Sequence, residues 1–322
     1  MPSNSSPQYA VFGSYAYDTI LLHGGTFHSR ILPEEIARLN VSFGVDSTRE
    51  ELGGTAGNIA FNAALLEDYP LLLGSVGEDF GRYAEHLRKL GHETDTLTVQ
   101  AKHSTARAWL LTDTEHNQIS AFHMGAQAAH PAVPTAAGSV SLWHIAPESP
   151  SNMLSMAVRA KKLQVSYMFD PGQALPGLLE IHARGETDLR EVIRGALGLF
   201  VNDYEAELLE QSLNCTLESL VASESFVVRT MGSRGAQLFT QGDWEHTPTA
   251  KPRVVVDPTG CGDALRAGFL HGYLQGQLPY ECVRLGVVMA SFAVEHSGGQ
   301  NHSPSKADIE RRMADFGARS LA

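Results

Sequence analysis

The chain has 322 residues, 43% hydrophobic, 8% aromatic and 19% charged, and its 36 acidic against 24 basic side chains give a formal net charge of -12. This composition describes an ordinary soluble globule with material for a large core, excludes a disordered tail or a collagen, and at roughly 100 to 200 residues per domain allows one large or two modest domains. The acidic balance also speaks against DNA or RNA as a partner, because nucleic-acid affinity draws largely on basic side chains that displace counterions.

In chain order, the opening Met1-Pro-Ser-Asn-Ser-Ser-Pro-Gln8 lacks the basic flank and apolar stretch of a secretory signal. No apolar run approaches the roughly 18 residues of a spanning helix, so the expected compartment is the cytoplasm, with no membrane partner. A strand over Tyr9 to Tyr15 leads to a helix from Asn58 to Glu67, a short apolar run Leu71 to Val76, and a helix from Phe80 to Leu90 closed by Gly91. Residues 104 to 123 read as two strands around a polar turn at Asp113 to Asn117, a hairpin suited to a lid. The stretch 131 to 138, rich in Pro and Ala, reads as a loop. From Ser139 strands end near Ile145, Asp170, Asn202 and Thr230, each with a helical pattern expected to follow. Repeated units of this kind demand parallel strands with helices on both faces and collect binding groups beyond the carboxyl ends, where Asp170, Asn202 and Thr230 fall. The three cysteines, Cys215, Cys261 and Cys282, are too scattered for a disulfide framework or a C-x-x-C site. The 14 histidines form no H-E-x-x-H pattern and read as solvated or core residues.

The segment that carries most chemistry is Asp257-Pro-Thr-Gly-Cys-Gly-Asp263, which opens a helix with small residues along one side. A Gly-x-Gly turn at a helix start exposes backbone amides, and the helix dipole adds partial positive charge, so the turn is an anion hole. Asp263 reads either as a helix N-terminal residue interacting with that dipole or as the acceptor of a proton from an attacking hydroxyl. Upstream, Gly53-Gly54-Thr55-Ala56-Gly57-Asn58 lets the backbone approach a ligand and starts a helix. Asn58 is there either a cap or an amide aimed at the same space.

These two glycine segments resemble the ribokinase, or PfkB, family of carbohydrate and nucleoside kinases, whose C-terminal signature has the form D-T-x-G-A-G-D. Pro258 and Cys261 depart from it without removing a backbone amide. The resemblance implies Asp263 as catalytic base, with Gly260, Cys261 and Gly262 lining the hole. It implies Asp18, Gly54 and Asn58 as a clamp for vicinal hydroxyls, a pairing that suits an acceptor-only carboxylate and a donor–acceptor amide. Asn202 and Glu205, in an N-x-x-E pattern that also fits a capped helix start, would organise magnesium through water. Thr230, Gly232 and Gly235, in T-x-G-x-x-G, would face ATP, and Asp257 and Thr259 would lie near a monovalent cation such as potassium. The strings Gly13 to Asp18, Asn117 to His123, Phe169 to Pro176 and Asp257 to Gly268 are most similar to bacterial adenosine or broad-specificity nucleoside kinases.

The expectation is a single ribokinase-like α/β domain over residues 1–322: a doubly wound, mostly parallel sheet flanked by helices, with a small β lid from about 15–52 and 104–124 and a candidate homodimer through that lid. Phe122 or Trp109 would stack a base or serve as core, Gln173 and the neighbouring Asp170 would face substrate or cap a helix, and Arg107 would close over phosphates or remain a solvated lid charge. The activity implied is ATP-dependent phosphorylation of the 5′-hydroxyl of a purine nucleoside, namely adenosine, inosine or guanosine. A sugar kinase acting on ribose, fructose or a sugar phosphate is the first alternative, and a non-catalytic nucleoside-binding regulator the second. A G-x-G-x-x-G after the first strand is missing, against an oxidoreductase. Asp263 is expected to be ionised at neutral pH like any aspartate of pKa about 3.9. Cys261 is either a helix-start thiolate or a filler of small space.

Overall fold

A computed structural model describes residues 8–29, 31, 40–115 and 117–320, so the opening residues 1–7, residues 30 and 32–39 of the first lid stretch, and His116 in the lid turn lie outside the described residues. The chain runs β1 (Tyr9–Phe12), β2 (Ala16–Leu22), β3 (Ser47–Gly53), α1 (Thr55–Leu65), β4 (Leu71–Leu73), β5 (Ser75–Gly77), α2 (Gly81–Lys89), β6 (Thr98–Gln100), β7 (Ala106–Thr112) and β8 (Gln118–His123). It continues β9 (Leu142–Ile145), α3 (Pro150–Leu163), β10 (Ser166–Phe169), α4 (Leu175–Ala183), α5 (Leu189–Arg194), β11 (Gly198–Asn202), α6 (Asp203–Leu213), α7 (Leu217–Leu220) and β12 (Phe226–Thr230). β13 (Ala236–Thr240), β14 (Asp243–Thr247), α8 (Cys261–Leu274), α9 (Pro279–Ala293) and α10 (Lys306–Ser320) complete it.

Eight strands form the main sheet in the order β14-β13-β12-β11-β10-β9-β1-β4. Pairing is parallel from β4 through β12 and antiparallel only at β13 and β14. The central strands are short and apolar because both faces are covered, and successive side chains enter opposite cores. In β10, Met168 joins the core shared with α1, α8 and α9, while Tyr167 and Phe169 join the core under α3 to α6. In β11, Phe200 and its neighbours Leu199 and Val201 divide the same way. Phe200 meets Phe269 of α8 edge-on at 5.1 Å, which seats that helix on the sheet. Truncating a fully buried phenylalanine of this kind to alanine costs about 3 to 5 kcal/mol.

One expectation fails at the far edge. After Thr230 the chain makes a short 3-10 turn over Gly232–Arg234 and then the hairpin β13–β14, not a helix. The physical reason lies in Gln241 and Gly242, both at positive φ (54° and 93°), the backbone a two-residue hairpin turn requires.

A second sheet, ordered β3-β2-β7-β8, is the lid; β2 and β7 run parallel, and β3 and β8 flank them antiparallel. Strand order in the main sheet reverses at β1, which lies between β4 and β9, so a crevice opens past the carboxyl ends of β1 and β9. There the Ser14 amide donates to the Pro147 carbonyl at 3.1 Å, and the Thr55 hydroxyl donates to the same oxygen at 2.9 Å. Among the described residues no helix is long and apolar enough to cross a membrane.

Candidate active site

Helix α8 begins at a backbone position that calls for glycine. Gly260, its cap, has φ 77°, and a Cβ there would stand 2.7 Å from the Gly299 Cα. The Cys261 amide donates to the Pro258 carbonyl at 3.2 Å and the Ala264 amide to the Gly260 carbonyl at 2.9 Å. The Gly262 and Asp263 amides are left without an acceptor among the described residues. The free helix-start amides are therefore those of Gly262 and Asp263, whereas the Cys261 amide, expected to line an anion hole, is already engaged. Burial, reinforced by Asp257 and Asp263, pushes the Cys261 thiol up to about 12. Of the two readings of Cys261, burial of the thiol supports the filler of a small space.

Asp263 does not behave as an ordinary aspartate. Burial raises it from 3.8 to about 7, with Asp170 and Asp18 adding to the rise and the Asn58 amide and Arg266 opposing it. Its carboxyl is consequently poised near neutrality, where a general base works best. The Asn58 Nδ2 donates to Asp263 Oδ2 at 2.8 Å, and its Oδ1 accepts from Gln300 Nε2 at 3.0 Å. Gln300 also donates to the Tyr83 hydroxyl at 2.6 Å, which donates to the Gly53 carbonyl at 2.7 Å. A buried chain of hydrogen bonds thus joins Asp263 to the end of lid strand β3. The structure thus brings Asn58, 5% exposed, to Asp263 itself. Gly54, the cap of α1, has φ 85°, and a Cβ there would meet the Ser14 carbonyl at 2.6 Å.

Strand register sorts the lid candidates. Asp18 pairs with Glu51 and Ala108, and Ala108 with Phe122, so Asp18 and Phe122 share one face of the lid. Phe122 is 57% exposed, and burial followed by the Glu51 charge raises Asp18 to about 6. Arg107 and Trp109 belong to the opposite face. Arg107 lies over Tyr17 at 5.1 Å and pairs with Glu50 at 2.6 Å and Asp79 at 3.7 Å. Its partners here are thus residues of the lid and of the loop before α2, and Trp109 does not share the side of Asp18.

A cavity of about 600 Å³ gathers Gly172, Gln173, Asn202, Glu205, Thr230, Gly232, Gly235, Cys261, Gly262 and Asp263, contributed by four separate stretches of chain. Its apolar wall comes from Val287, Ala290 and Val294, at and just beyond α9. Asn202 and Glu205 form a capping box: the Asn202 amide donates to Glu205 Oε2 at 2.8 Å, and the Glu205 amide donates to Asn202 Oδ1 at 2.8 Å. Burial and then Asp170 raise Glu205 above its usual range. Asp257 ties two loops, accepting from the Thr259 amide at 2.9 Å and the Gly298 amide at 3.0 Å. Those bonds hold it below its ordinary value against the opposing effect of burial.

Among the described residues no group of three or more His, Cys, Asp or Glu side chains could hold a metal ion. Glu205 faces the cavity. The residues that sequence reasoning missed are Arg266, Gln300 and Tyr83. Arg266 carried a signal: an arginine one turn past Asp263 on a helix otherwise lined with small and apolar residues needs a buried partner, and Asp170 at a strand end supplies it. Gln300 and Tyr83 carried none, since only the tertiary fold brings them to Asn58.

The pattern of the pfkB family of carbohydrate kinases matches residues 24–306. A nucleoside kinase of Methanocaldococcus jannaschii is 31% identical over 282 residues, covering 87% of this chain and 91% of that one. The solved structure of the nucleoside kinase of Burkholderia thailandensis in complex with inosine is 31% identical, with a TM-score of 0.81 over 96% of this chain and 98% of that one. The crystal structure of the Methanocaldococcus jannaschii nucleoside kinase, described as an archaeal member of the ribokinase family, is 29% identical with a TM-score of 0.82 over 97% and 100%.

Proposed function

Because the chain belongs to the pfkB family of carbohydrate kinases, we propose that it is a nucleoside kinase that uses ATP to phosphorylate the 5′-hydroxyl of a purine nucleoside, adenosine, inosine or guanosine. The observation that carries this reading is Asp263, its carboxyl raised to about 7, beside two unpartnered helix-start amides in a cavity of about 600 Å³. The inosine held by the similar Burkholderia thailandensis enzyme supports a purine.

Asp18 and Asn58 take the vicinal ribose hydroxyls, and Phe122, on the lid face of Asp18, lies against the base when the lid meets its ligand. Thr230, Gly232 and Gly235 face the ATP phosphates and Gln173 the substrate side of the same cavity. Asp263 orients the 5′-hydroxyl and receives its proton, while the Gly262 and Asp263 amides face the charge that builds on the transferred phosphoryl group. Glu205 would hold a phosphate-carried magnesium through water, where the ion would neutralise phosphate charge, and Asp257 and Thr259 would hold a potassium ion that would order the loop before α8. The exposed Ile119 of β8, on an edge strand of the lid and on the face opposite Phe122, supports a homodimer through the lid. A coupled assay with ATP against adenosine, inosine, guanosine, cytidine, ribose and fructose tests the function. Turnover of the purine nucleosides is expected to lead, and a preference for a free sugar would overturn it.

A further inference from the structure

Directly beneath the anion hole lies a buried ion pair that the proton transfer itself does not use. Arg266, 6% exposed and one helical turn past Asp263, donates from Nε to Asp170 Oδ2 at 2.7 Å and from Nη2 to Oδ1 at 3.1 Å. Its remaining arm, Nη1, donates to the Gly262 carbonyl at 3.2 Å, and the guanidinium lies 5.5 Å from the centre of the Phe200 ring. Each of the three guanidinium nitrogens therefore has a partner, two on a carboxylate and one on the Gly262 peptide.

A buried pair of this sort is a poor way to gain stability, since desolvation offsets most of the attraction and an apolar side chain would seat α8 as well. The charges around Asp263 give it a different use. On its own helix Asp263 faces Arg266, and the neighbouring Cys261 thiol is pushed up by burial, Asp257 and Asp263. Asp170 approaches from the end of β10 and Asp18 from the lid, while α1 contributes only the neutral Asn58 amide. Glu205 of α6 acts on Arg266 and Asp170, and buried His144 of β9, its pKa lowered by burial, stands 3.7 Å from Asp170. Arg266 is the one cation that opposes the acidic groups acting on Asp263 among these neighbours.

We propose that Arg266, locked in place by Asp170, is a positioning residue for phosphoryl transfer: it fixes the Gly262 peptide of the anion hole and balances the carboxylates that surround Asp263. This rests on the reading of Asp263 as the proton acceptor. The two partners pull Asp263 in opposite directions, Arg266 toward the charged form and Asp170 toward the neutral one.

The test is the pH dependence of kcat/KM in the full-length enzyme, together with the titration of the Asp263 carboxyl by carbon-13 NMR, assigned by its loss in Asp263→Asn. Asp170→Asn should move the acid limb down by about one unit and Arg266→Gln should move it up by about one unit, the scale of a single nearby charge. Arg266→Lys should leave the limb near its wild-type position while lowering kcat, because the charge stays and the fork is lost. Should Arg266→Gln not fold, the double variant Asp170→Asn/Arg266→Gln leaves no unpaired charge, and its limb must lie above that of Asp170→Asn alone. A purely structural pair would reduce rates without displacing the limb in opposite senses, and that result overturns the proposal. If the NMR titration moves as stated while the rate profile does not, the charge balance stands and Asp263 is not the acceptor.

Discussion

Replacing Asp263 by Asn should make the protein more stable as the pH rises. The carboxyl ionises at about 7 in the folded chain against an ordinary 3.8, a difference of about three units. At about 1.4 kcal/mol per unit this is about 4 kcal/mol, and because the side chain is only partly shielded from the open cavity, about 2 kcal/mol is the realistic scale. The sign follows from linkage. With the folded pKa raised, the contribution to stability is fully present below the unfolded value, is lost as pH climbs toward about 7, and stays lost above it. Asparagine carries no such loss and can still accept the Asn58 hydrogen bond. Urea unfolding of wild type and Asp263→Asn at intervals from about pH 5 to pH 8 reads the effect. The variant's stability relative to wild type should grow by about 1 to 2 kcal/mol across that range, while its turnover falls by about two to four orders of magnitude. A stability difference that stays flat with pH would show that Asp263 ionises like a surface aspartate, and the argument for a tuned base would fail with it.

Glu205→Gln keeps much of the capping box and should raise the magnesium concentration for half-maximal rate, whereas a titration curve matching wild type would leave Glu205 as a helix cap only. Because the Cys261 thiol is pushed up to about 12, iodoacetamide near neutral pH should leave activity intact over the time in which an exposed thiol is consumed, and Cys261→Ala should remain active; rapid inactivation that Cys261→Ala abolishes would refute the neutral-thiol assignment. Phe122→Ala should raise the nucleoside KM by about tenfold with little change in kcat, and Trp109→Ala, on the other lid face, should not; equal effects would mean the register argument misassigns the lid faces. Deleting hydroxyl partners by Asp18→Ala should penalise nucleosides far more than their 2′-deoxy forms, which the wild type should already handle poorly, and equal use of both forms by the wild type would place the clamp elsewhere.

Most of the sheet was legible because its central strands are short apolar runs separated by helical patterns, as β9, β10 and β11 illustrate, and such strands have little choice but a parallel sheet covered on both sides. The β13–β14 hairpin was not, because its alternation is weak and its turn residues, Gln241 and Gly242, are not among the strongest hairpin pairs. The residues of the glycine loops could be named from spacing, yet their partners could not. Asn58 meets Asp263 across 205 positions, and Asp18, Asp170 and Arg266 set the charge around Asp263 from three different elements. A titration that depends on such distant neighbours has no local signature, which is why Asp263 reads as ordinary in the sequence and as shifted in the fold. Register did what composition could not for the lid: Phe122 and Trp109 are equivalent as aromatic residues on strands, and only the pairing of β7 with β2 and β8 separates them.

The most direct measurement is the identity of the product. Wild-type protein incubated with ATP, magnesium and inosine, and in parallel with adenosine, should release ADP and the nucleoside 5′-monophosphate, with the phosphate located on the 5′ oxygen by the coupling of phosphorus to the 5′ protons in NMR, and Asp263→Asn should form at most about one hundredth as much in the same time. A phosphate on another hydroxyl, product formed by Asp263→Asn at the wild-type rate, or ATP hydrolysis with the nucleoside left unchanged would contradict the account.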